Sequence, residues 1–297
     1  MSISRQNLSV VIVTFKSNQV IDDCIRSIPE DLKITVVDNS NDKEFKEILE
    51  NNYNNVTCIL SPKNLGMGSG NNLGLRNVKT DYALILNPDV ILEKDTISEI
   101  LEVSKSIENF SIISPMSIDQ KYPNYQTFKN KIESNYRNSF FKVKSVDGFA
   151  MILNLKKLNK FKTFENNEYF DENFFMYLEN DDLCKRITEL NENIYIVNTA
   201  KIKHLGAKAV DSKYEYEIEL SRNWHWMWSK FYFNKKHYGF FFAFLNGFPT
   251  FLTSLLKSFI YLISNDKKKR NYFLFRSLGF MNALIGKKSY HRPKIDN

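Results

Sequence analysis

Cysteine is scarce in this sequence of 297 residues. Glycine is absent directly after the first apolar run, where it would indicate a dinucleotide cofactor. The three cysteines, Cys24, Cys58 and Cys184, are scattered and odd in number, and they lack the spacing of metal ligands. A reduced, cytosolic compartment therefore fits them better than a disulfide framework does. The first apolar run, residues 8–15, continues into Lys-Ser-Asn at 16–18 without the glycines of a dinucleotide-binding fingerprint. A nucleotide-binding oxidoreductase is consequently a weak alternative, although the sequence leaves it open.

The sequence also lacks a signal-peptide cleavage site and a visible internal repeat. The run at 8–15 is rich in β-branched side chains, and no small-residue cleavage site follows it, so we expect a buried strand there. Hydrophobic residues make up 43% of the chain, which is enough for one large core or for one core with a smaller appendage. The formal net charge of +7 favours anionic partners, among which we expect an anionic substrate and a membrane surface but no nucleic acid.

Apolar runs of strand length alternate with segments of helical spacing up to about residue 115. Strands that alternate with helices predict an α/β fold whose central sheet is mostly parallel, with right-handed crossovers. The strands are predicted at 8–15, 32–37, 56–60 and 83–86, and the helices at 18–28, 45–49, from a glycine-rich loop to about 78, and at 96–107 with Asp95 as its cap. Beyond them the sequence predicts a long substrate-facing loop at 119–142, a strand pair at 143–154, and short strands at 194–197 and 201–204.

The fourth predicted strand runs directly into Asn87-Pro88-Asp89. Proline ends the strand, so Asp89 is expected at its carboxyl end, where open α/β sheets bind ligands. A carboxylate beside an amide oxygen suits Mg²⁺ or Mn²⁺ that carries a phosphate group. The alternative is a β-turn in which Asn87 and Asp89 bond only to their own backbone.

Two further features lie at the same predicted edge of the sheet. Asp38 closes the second strand, where a carboxylate can accept the imide N–H of uracil or thymine or bind ribose hydroxyls, or can serve only as a turn residue. The glycine-rich segment 63–72 predicts a loop whose backbone can approach a ligand closely and whose following helix can face an anion.

An acidic group stands at the start of a predicted helix. Glu179 and Asp182 are three residues apart and can converge on one face, whereas Asp181 points elsewhere. One of these carboxylates can act as a general base, or the group can simply cap the helix and compensate its dipole. His204 ends a short strand, and it gains interest only if the fold brings it beside Asp89.

The C-terminal part of the chain has a different composition. Residues 214–236 predict an aromatic-rich helix, and 238–256 contain no charged residue and are long enough to span a bilayer. A basic cluster at 267–270 and a second apolar segment at 272–285 follow. This combination favours helices lying on an anionic membrane surface, while a true span around 238–263 and a soluble helical subdomain stay open.

Six segments, taken in order, resemble a GT-A-fold, family 2 glycosyltransferase, particularly the rhamnosyltransferase-like branch that builds bacterial surface polysaccharides. The resemblance implies a Rossmann-like domain at 1–210, with a donor half at about 1–115 and an acceptor half at about 143–210, followed by a membrane-associating helical region at 211–297. The segments are residues 11–15, 36–40, 64–74, 86–89, 174–186 and 204–206.

The resemblance also implies roles for individual residues. The first strands and the glycine-rich loop would bind the donor. Two residues would bind a divalent metal (Mg²⁺ or Mn²⁺) on the diphosphate, and the acidic helix start would supply the catalytic base. The implied donor-binding residues are Thr14, Phe15, Asp38, Asn39, Asn64, Gly66, Gly70, Asn71 and Asn87; the metal ligands are Asp89 and His204; the candidate bases are Glu179, Asp181 and Asp182.

Two positions depart from the family pattern. Asn87 stands at the first position of the family's DXD motif, and Asn180 replaces the aspartate of its Glu-Asp pair, so Glu179 is the preferred base. The implied activity is inverting transfer of rhamnose or a similar hexose from a UDP- or dTDP-sugar to a hydroxyl of a lipid-linked glycan, for capsule, O-antigen or cell wall. The implied location is the cytoplasmic face of the plasma membrane. Because an amide is a poor base, a non-catalytic partner in polysaccharide assembly is the alternative.

Overall fold

The computed structural model describes residues 2–119, 121–128, 138–206 and 209–295. The chain divides into two compact units. The sheet unit comprises Met1–Leu65, Ser69–Asp171 and Asn180–Asp211, and the helical unit comprises Gly66–Gly68, Glu172–Glu179 and Ser212–Asn297. Residues 66–68 and 172–179 group with the C-terminal helices in this division.

The first four strands of the sheet unit form a parallel array in the order β3-β2-β1-β4. Their apolar, largely β-branched sequences favour extended backbone that is covered on both faces. The strands are β1 (Leu8–Thr14), β2 (Lys33–Asp38), β3 (Val56–Leu60) and β4 (Tyr82–Leu86), and the helices are α1 (Ile21–Arg26), α2 (Lys43–Asn52), α3 (Met67–Arg76) and α4 (Thr96–Ser104). Asp95 stands at the N-cap of α4 as predicted, but its side chain makes no capping hydrogen bond within the described part of the chain.

The sheet continues beyond β4 with strands of both directions. The remaining elements are β5 (Val90–Leu92), β6 (Ile112–Ser117), β7 (Tyr125–Gln126), β8 (Phe140–Val143), β9 (Ser145–Val146), β10 (Ala150–Asn154), α5 (Leu155–Leu158), α6 (Glu179–Glu189) and β11 (Ile194–His204). The strand order is β3-β2-β1-β4-β10-β6-β11-β5, with β8 also paired to β11, while β7 and β9 form a separate small sheet. The α/β fold class is confirmed.

Three predictions about the second half need correction or completion. The strand pair at 143–154 is wrong as a hairpin, because β9 pairs with β7 and β10 lies between β4 and β6. The two short strands at 194–204 are one strand, β11, whose pairing with β6 shifts register between Val197 and Lys201. The predicted loop at 119–142 contains β7 and the start of β8, and its residues 120 and 129–137 lie outside the described residues.

Side chains that alternate along β1 and β4 build two cores on opposite faces of the sheet. Val10 and Leu84 belong to one buried cluster, while Val11 and Ile85 belong to the other. This alternation follows from the two-residue period of a strand. The carboxyl ends of the strands are thereby held rigidly between two packed layers.

The helical unit contains three long helices, α7 (Glu215–Tyr238), α8 (Phe240–Ile263) and α9 (Lys267–Leu284). Their shared core is aromatic, with Trp224, Trp228, Phe231 and Phe280 at its centre. Most large apolar side chains of α8 remain exposed. Within the described residues, α8 is the one helix whose length and composition would allow it to cross a membrane.

Candidate active site

The carboxyl ends of the parallel strands bring the predicted donor-binding residues to one edge of the sheet. Thr14 and Asp38 are register partners at the ends of β1 and β2, and Ile12 of β1 pairs with Leu86, the last residue of β4. Asn87 therefore follows at the same edge. The positions of Thr14, Asp38 and Asn87 agree with the sequence prediction, because all three depend on strands with strong local signals.

Asp38 is almost completely buried and is held by the chain itself. Its Oδ1 accepts hydrogen bonds from the Thr14 hydroxyl at 3.1 Å and the Ser40 backbone N–H at 3.2 Å, and its Oδ2 accepts one from the Asp42 backbone N–H at 2.9 Å. A carboxylate has about four lone-pair directions. Oδ2 thus keeps one acceptor direction with which Asp38 can bind a ligand N–H or hydroxyl.

The asparagines of the predicted donor loop fall into two kinds. Asn72 is a structural bridge, because its side chain both donates to the Phe170 carbonyl at 2.8 Å and accepts from the Phe170 N–H at 3.0 Å. Asn39 accepts from the Leu65 N–H at 3.3 Å. The buried Oδ1 of Asn71, by contrast, has no hydrogen-bond partner among the described residues. Asn71 therefore has an acceptor to offer a ligand.

The glycines of the loop are explained by packing. A Cβ at Gly70 would lie 2.8 Å from a Val13 methyl, and one at Gly74 would lie 2.4 Å from a Val11 methyl, so α3 sits directly on β1. Gly66 has φ +82°, and its missing side chain admits the Phe175 carbonyl oxygen, which would lie 2.1 Å from a Cβ there. Donor contact by Gly66 and Gly70 stays a prediction, as it does for the half-buried Phe15 and Asn64.

Asp89 and His204 are brought together by a pairing that the sequence did not reveal. Strand β5 begins directly after Asp89 and runs antiparallel to β11, so that His204 pairs with Val90. The Leu205 N–H donates to the Asp89 carbonyl at 2.9 Å, and His204 Nε2 lies 3.4 Å from Asp89 Oδ1. The histidine ring is stacked on Phe149, with ring centroids 4.1 Å apart. The fold therefore places His204 beside Asp89, which makes His204 a candidate metal ligand.

The oxygens of this cluster fit a hard divalent cation. Asp89 is 2% exposed, and neither its Oδ1 nor the Oδ1 of Asn87 has a hydrogen-bond partner in the described part of the chain. A buried polar atom without a partner is costly unless a ligand satisfies it. Among the described residues no three His, Cys, Asp or Glu side chains converge on a common point, so a cation would need further oxygen ligands from a phosphate or water.

The polar residues at the start of α6 differ in their hydrogen-bond partners and burial. Asp182 is fully buried, its Oδ2 accepts from Arg186 Nε at 2.8 Å, and Arg186 also donates to the Tyr169 carbonyl. This ion pair gives Asp182 a structural role and argues against its use as a base. Asn180 is also structural, because its amide donates to the Val146 carbonyl at 3.0 Å.

Asp181 is the carboxylate whose chemistry is most altered by its surroundings. Burial, reinforced by the charge of Asp147 and opposed by that of Lys144, raises the pKa of Asp181 to about 6. A carboxyl with such a pKa is ionised at neutral pH and is still basic enough to accept a proton. Glu179, the residue preferred from the sequence, is buried at the first position of α6.

Asp147 is a further carboxylate near the acidic start of α6, and the sequence gives no sign of it. It is exposed, yet the protein around its carboxyl raises the pKa of Asp147, an effect that the charge of His204 opposes. It stands on the turn between β9 and β10, where Asn180 packs on Gly148. Nothing local in the sequence indicates that this turn meets α6, so the strand pair predicted at 143–154 gives no reason to single out Asp147.

Comparisons with known proteins show which family the sequence resembles. The family described as "Glycosyl transferase family 2" matches residues 9–180. The chain is 29% identical over 204 residues to the low-salt glycan biosynthesis hexosyltransferase Agl10 of Haloferax volcanii, covering 63% of this chain and 64% of that protein. It is 26% identical over 201 residues to the rhamnosyltransferase WbbL of Escherichia coli, covering 57% of this chain and 70% of that protein. The chain thus spans less than two thirds of the Haloferax relative.

Solved structures show the same fold at low sequence identity. The mannosyltransferase PcManGT from Pyrobaculum calidifontis, in complex with GDP-Man and Mn²⁺, has a TM-score of 0.54 at 11% identity over 95% of this chain and 88% of that one. GalNAc-T7 with UDP, GalNAc and Mn²⁺ has a TM-score of 0.53 at 14% identity over 67% of this chain and 43% of that one. These similarities confirm the GT-A type of α/β fold.

Proposed function

Since the chain belongs to glycosyl transferase family 2, we propose that it is an inverting, metal-dependent glycosyltransferase. The donor is a UDP- or dTDP-sugar, the sugar is rhamnose or a similar hexose, and the acceptor is a hydroxyl of a lipid-linked glycan. The product belongs to a cell-surface polysaccharide. The names of the two relatives, a hexosyltransferase of low-salt glycan biosynthesis and a rhamnosyltransferase, support the reaction class.

One observation carries the proposal: the buried, unsatisfied oxygens of Asn87 and Asp89 lie at the ligand-binding edge of the sheet, and His204 Nε2 is 3.4 Å from the Asp89 carboxylate. Asp89 and His204 would hold Mg²⁺ or Mn²⁺; two solved structures of similar fold contain Mn²⁺ together with a nucleotide or nucleotide sugar, which supports a metal here. Such an ion acts as a Lewis acid that neutralises charge on the leaving diphosphate. Asn87 adds an amide oxygen for the metal or the sugar, without a charge.

The remaining residues bind the donor and take the acceptor proton. Asp38, Thr14 and Asn39 hold the nucleoside, and Asn71 offers its amide oxygen to the donor. The acceptor hydroxyl attacks the anomeric carbon as the bond to the diphosphate breaks, and a carboxylate of α6 accepts the hydroxyl proton. The raised pKa of Asp181 supports this residue as the base in preference to Glu179.

The helical unit would keep the enzyme at the cytoplasmic face of the membrane, where lipid-linked acceptors are presented. The exposed apolar face of α8 and the exposed lysines at 267–269 support this peripheral attachment. Alternatively, α8 crosses the membrane, for which the helix is long enough.

Calorimetric titration with UDP, dTDP, GDP and NADH, each with and without Mn²⁺, tests the proposal. We expect Mn²⁺-dependent binding of UDP or dTDP that Asp89→Ala abolishes. Asp95→Ala, which removes an exposed aspartate only six positions further on, is the matched control and should bind like the wild type. Absence of diphosphate binding by the wild type would contradict the proposal. Donor binding without turnover on any acceptor would instead support the non-catalytic partner.

A further inference from the structure

The helical unit carries one tryptophan whose exposure contrasts with that of its neighbours. Trp224 and Trp228 are 2% and 3% exposed in the aromatic core, whereas Trp226 on the same helix is 43% exposed. The contrast follows from helix geometry, because residues four apart share a face and a residue midway between them points away. Single exposed apolar residues are common, so exposure alone does not give Trp226 a role. The residues around Trp226 provide the further evidence.

Tyr177 lies against this tryptophan in an unusual backbone conformation. The edge of one ring meets the face of the other, with centroids 5.5 Å apart and planes at 86°. Tyr177 and Leu178 have φ of +70° and +66°, a region that costs energy for residues other than glycine. Such strain persists only where the surrounding structure enforces it, and it is concentrated at functional sites.

Helix α7 supplies the contacts that enforce this conformation. Phe174 packs on Tyr232, Phe175 packs on His225, and Ser229 Oγ donates to the Met176 carbonyl at 2.8 Å. Three successive residues are thus fixed before the strained pair begins. The strained pair leads directly into Glu179, the first residue of α6. The Tyr177 ring is therefore held immediately before the acidic helix start.

Polar groups border the two rings. Glu219, Arg222 and Trp226 are spaced at i, i+3 and i+7 and form one stripe on α7. Arg222 Nη1 and Glu219 Oε1 form an ion pair of 2.7 Å that is still partly open to solvent. Burial raises the pKa of Tyr177 to about 12, so its hydroxyl is a proton donor at neutral pH. The stripe thus offers an aromatic face with donors and acceptors beside it.

We propose that Tyr177, Trp226, Arg222 and Glu219 form the subsite that binds a sugar ring of the acceptor glycan, an inference that rests on the proposed transferase function. A pyranose has one apolar C–H face and a rim of hydroxyls, which matches an indole face with charged hydrogen-bonding groups beside it. An isoprenoid chain would need a continuous apolar surface instead. Tyr177 stands two positions before Glu179, a candidate base in the same helical unit, which suits an acceptor whose hydroxyl must reach a carboxylate.

Ligand-observed saturation-transfer NMR on the full chain tests the subsite. The probes are the methyl glycosides of glucose, galactose, N-acetylglucosamine and rhamnose, with octan-1-ol as a lipid mimic. We expect at least one glycoside to bind, about tenfold more weakly to Trp226→Ala and less weakened with Trp226→Phe, which keeps an aromatic ring. Tyr238→Ala, which removes another exposed aromatic residue of α7, is the control and should bind as the wild type does.

Three outcomes would overturn the subsite: no glycoside binds, Trp226→Ala binds like the wild type, or only octan-1-ol responds to the substitution. Arg222→Lys is a second variant that leaves the tryptophan in place. It should weaken glycoside binding, because lysine lacks the paired N–H donors of the guanidinium group. Calorimetry with UDP and Mn²⁺ is run on each variant and should be unchanged, which also shows that the variant is folded. If the wild type binds glycosides but no nucleotide, the proposed function fails while the sugar subsite stands.

Discussion

At the scale of single residues, two buried aspartates show how surroundings distinguish structure from function. Asp182 is satisfied by an ion pair with Arg186, which is itself anchored to the Tyr169 carbonyl. Asp89 has comparable burial, but its Oδ1 lacks a hydrogen-bond partner among the described residues. A buried charge that the chain satisfies contributes to folding, whereas one that the chain leaves unsatisfied is available to a ligand.

The first prediction compares these two aspartates. Asp182→Ala should lower the free energy of unfolding by about 3–5 kcal/mol, because it leaves Arg186 as an uncompensated buried charge. Asp89→Ala should leave stability without ligands nearly unchanged and abolish Mn²⁺-dependent nucleotide binding. Urea unfolding and calorimetry measure the two quantities. Equal destabilisation by both substitutions would remove the distinction between them.

The second prediction concerns the pH dependence of turnover. Because the pKa of Asp181 is raised to about 6, the base form is lost below that pH, and kcat/KM should fall roughly tenfold per pH unit on the acidic side. Asp181→Asn should lower kcat by about 10²–10⁴ and remove this limb of the profile. Loss of the limb in Glu179→Gln alone would identify Glu179 as the base.

The raised pKa of Asp181 also affects stability: raising the pH favours the base form needed for turnover but lowers the stability of the folded protein. A carboxyl whose pKa is higher in the folded state stabilises the protein below its unfolded pKa, and this contribution is lost as pH rises through about 6. Asp181→Asn should therefore be more stable than the wild type at pH 7 and not at pH 4. Thermal unfolding at the two pH values checks the sign independently of any activity.

At the scale of elements, local signals predicted the first four strands well, because each is a β-branched run whose own sequence favours a buried strand. The pairings of β9 and β10 could not be predicted, because their partners lie far away in the sequence. The same reason explains why Asp147 was missed, since its meeting with α6 depends on where the turn between those strands lies. The position of Asp89 beyond the end of β4 could be predicted because the strand and the proline stand next to it in the sequence.

The packing of α3 on β1 leads to a third prediction. A Cβ at Gly74 would lie 2.4 Å from a Val11 methyl, so Gly74→Ala should destabilise the protein by about 1–3 kcal/mol. Val11→Ala in the same chain makes room and should recover part of that loss. Chemical unfolding of both single variants and the double variant measures the coupling. Strictly additive effects would show that the two side chains do not compete for this space.

Helix α8 leads to a fourth prediction, about membranes. Its exposed residues Phe241, Leu245, Leu252, Leu256 and Phe259 follow helical spacing and form an apolar stripe. The full chain should sediment with vesicles containing phosphatidylglycerol, and changing lysines 267–269 to glutamine should weaken binding by about 1 kcal/mol per lysine. Salt should weaken binding in parallel.

A matched control separates local from total charge in that experiment. It replaces three exposed lysines of the sheet unit with glutamine: Lys33, Lys43 and Lys79. If both triple variants lose binding equally, attraction arises from the net charge of +7 rather than from the helical unit. Resistance of the protein to extraction at alkaline pH would instead favour α8 as a span.

At the scale of the whole molecule, the chain joins a sheet unit that matches the family to a helical unit that lies largely outside the matched residues 9–180. The change in composition near residue 210 predicts a domain boundary there. The grouping of 172–179 with the C-terminal helices was not predictable, because it depends on ring contacts such as that of Phe174 with Tyr232.

The fifth prediction uses the thermal stability of the whole chain. A ligand present at a hundred times its dissociation constant stabilises the folded state by about 2.7 kcal/mol. UDP or dTDP together with Mn²⁺ should therefore raise Tm by several degrees, and neither component alone should do so. Differential scanning calorimetry measures the shift. An equal effect of GDP, UDP and dTDP would contradict base recognition by Asp38.

The pairing of β5 with β11 has a consequence for how the protein matures. Asp89 and His204 are remote in sequence and become neighbours only when β11 adopts its register beside β5. A slip of one residue would turn His204 to the opposite face of the sheet. Under the proposed function, a chain with such a slip would lose its metal site although its first four strands were complete. The proposed reaction would thus depend on a pairing between strands that are remote in sequence, so an incompletely folded chain would not consume nucleotide sugar.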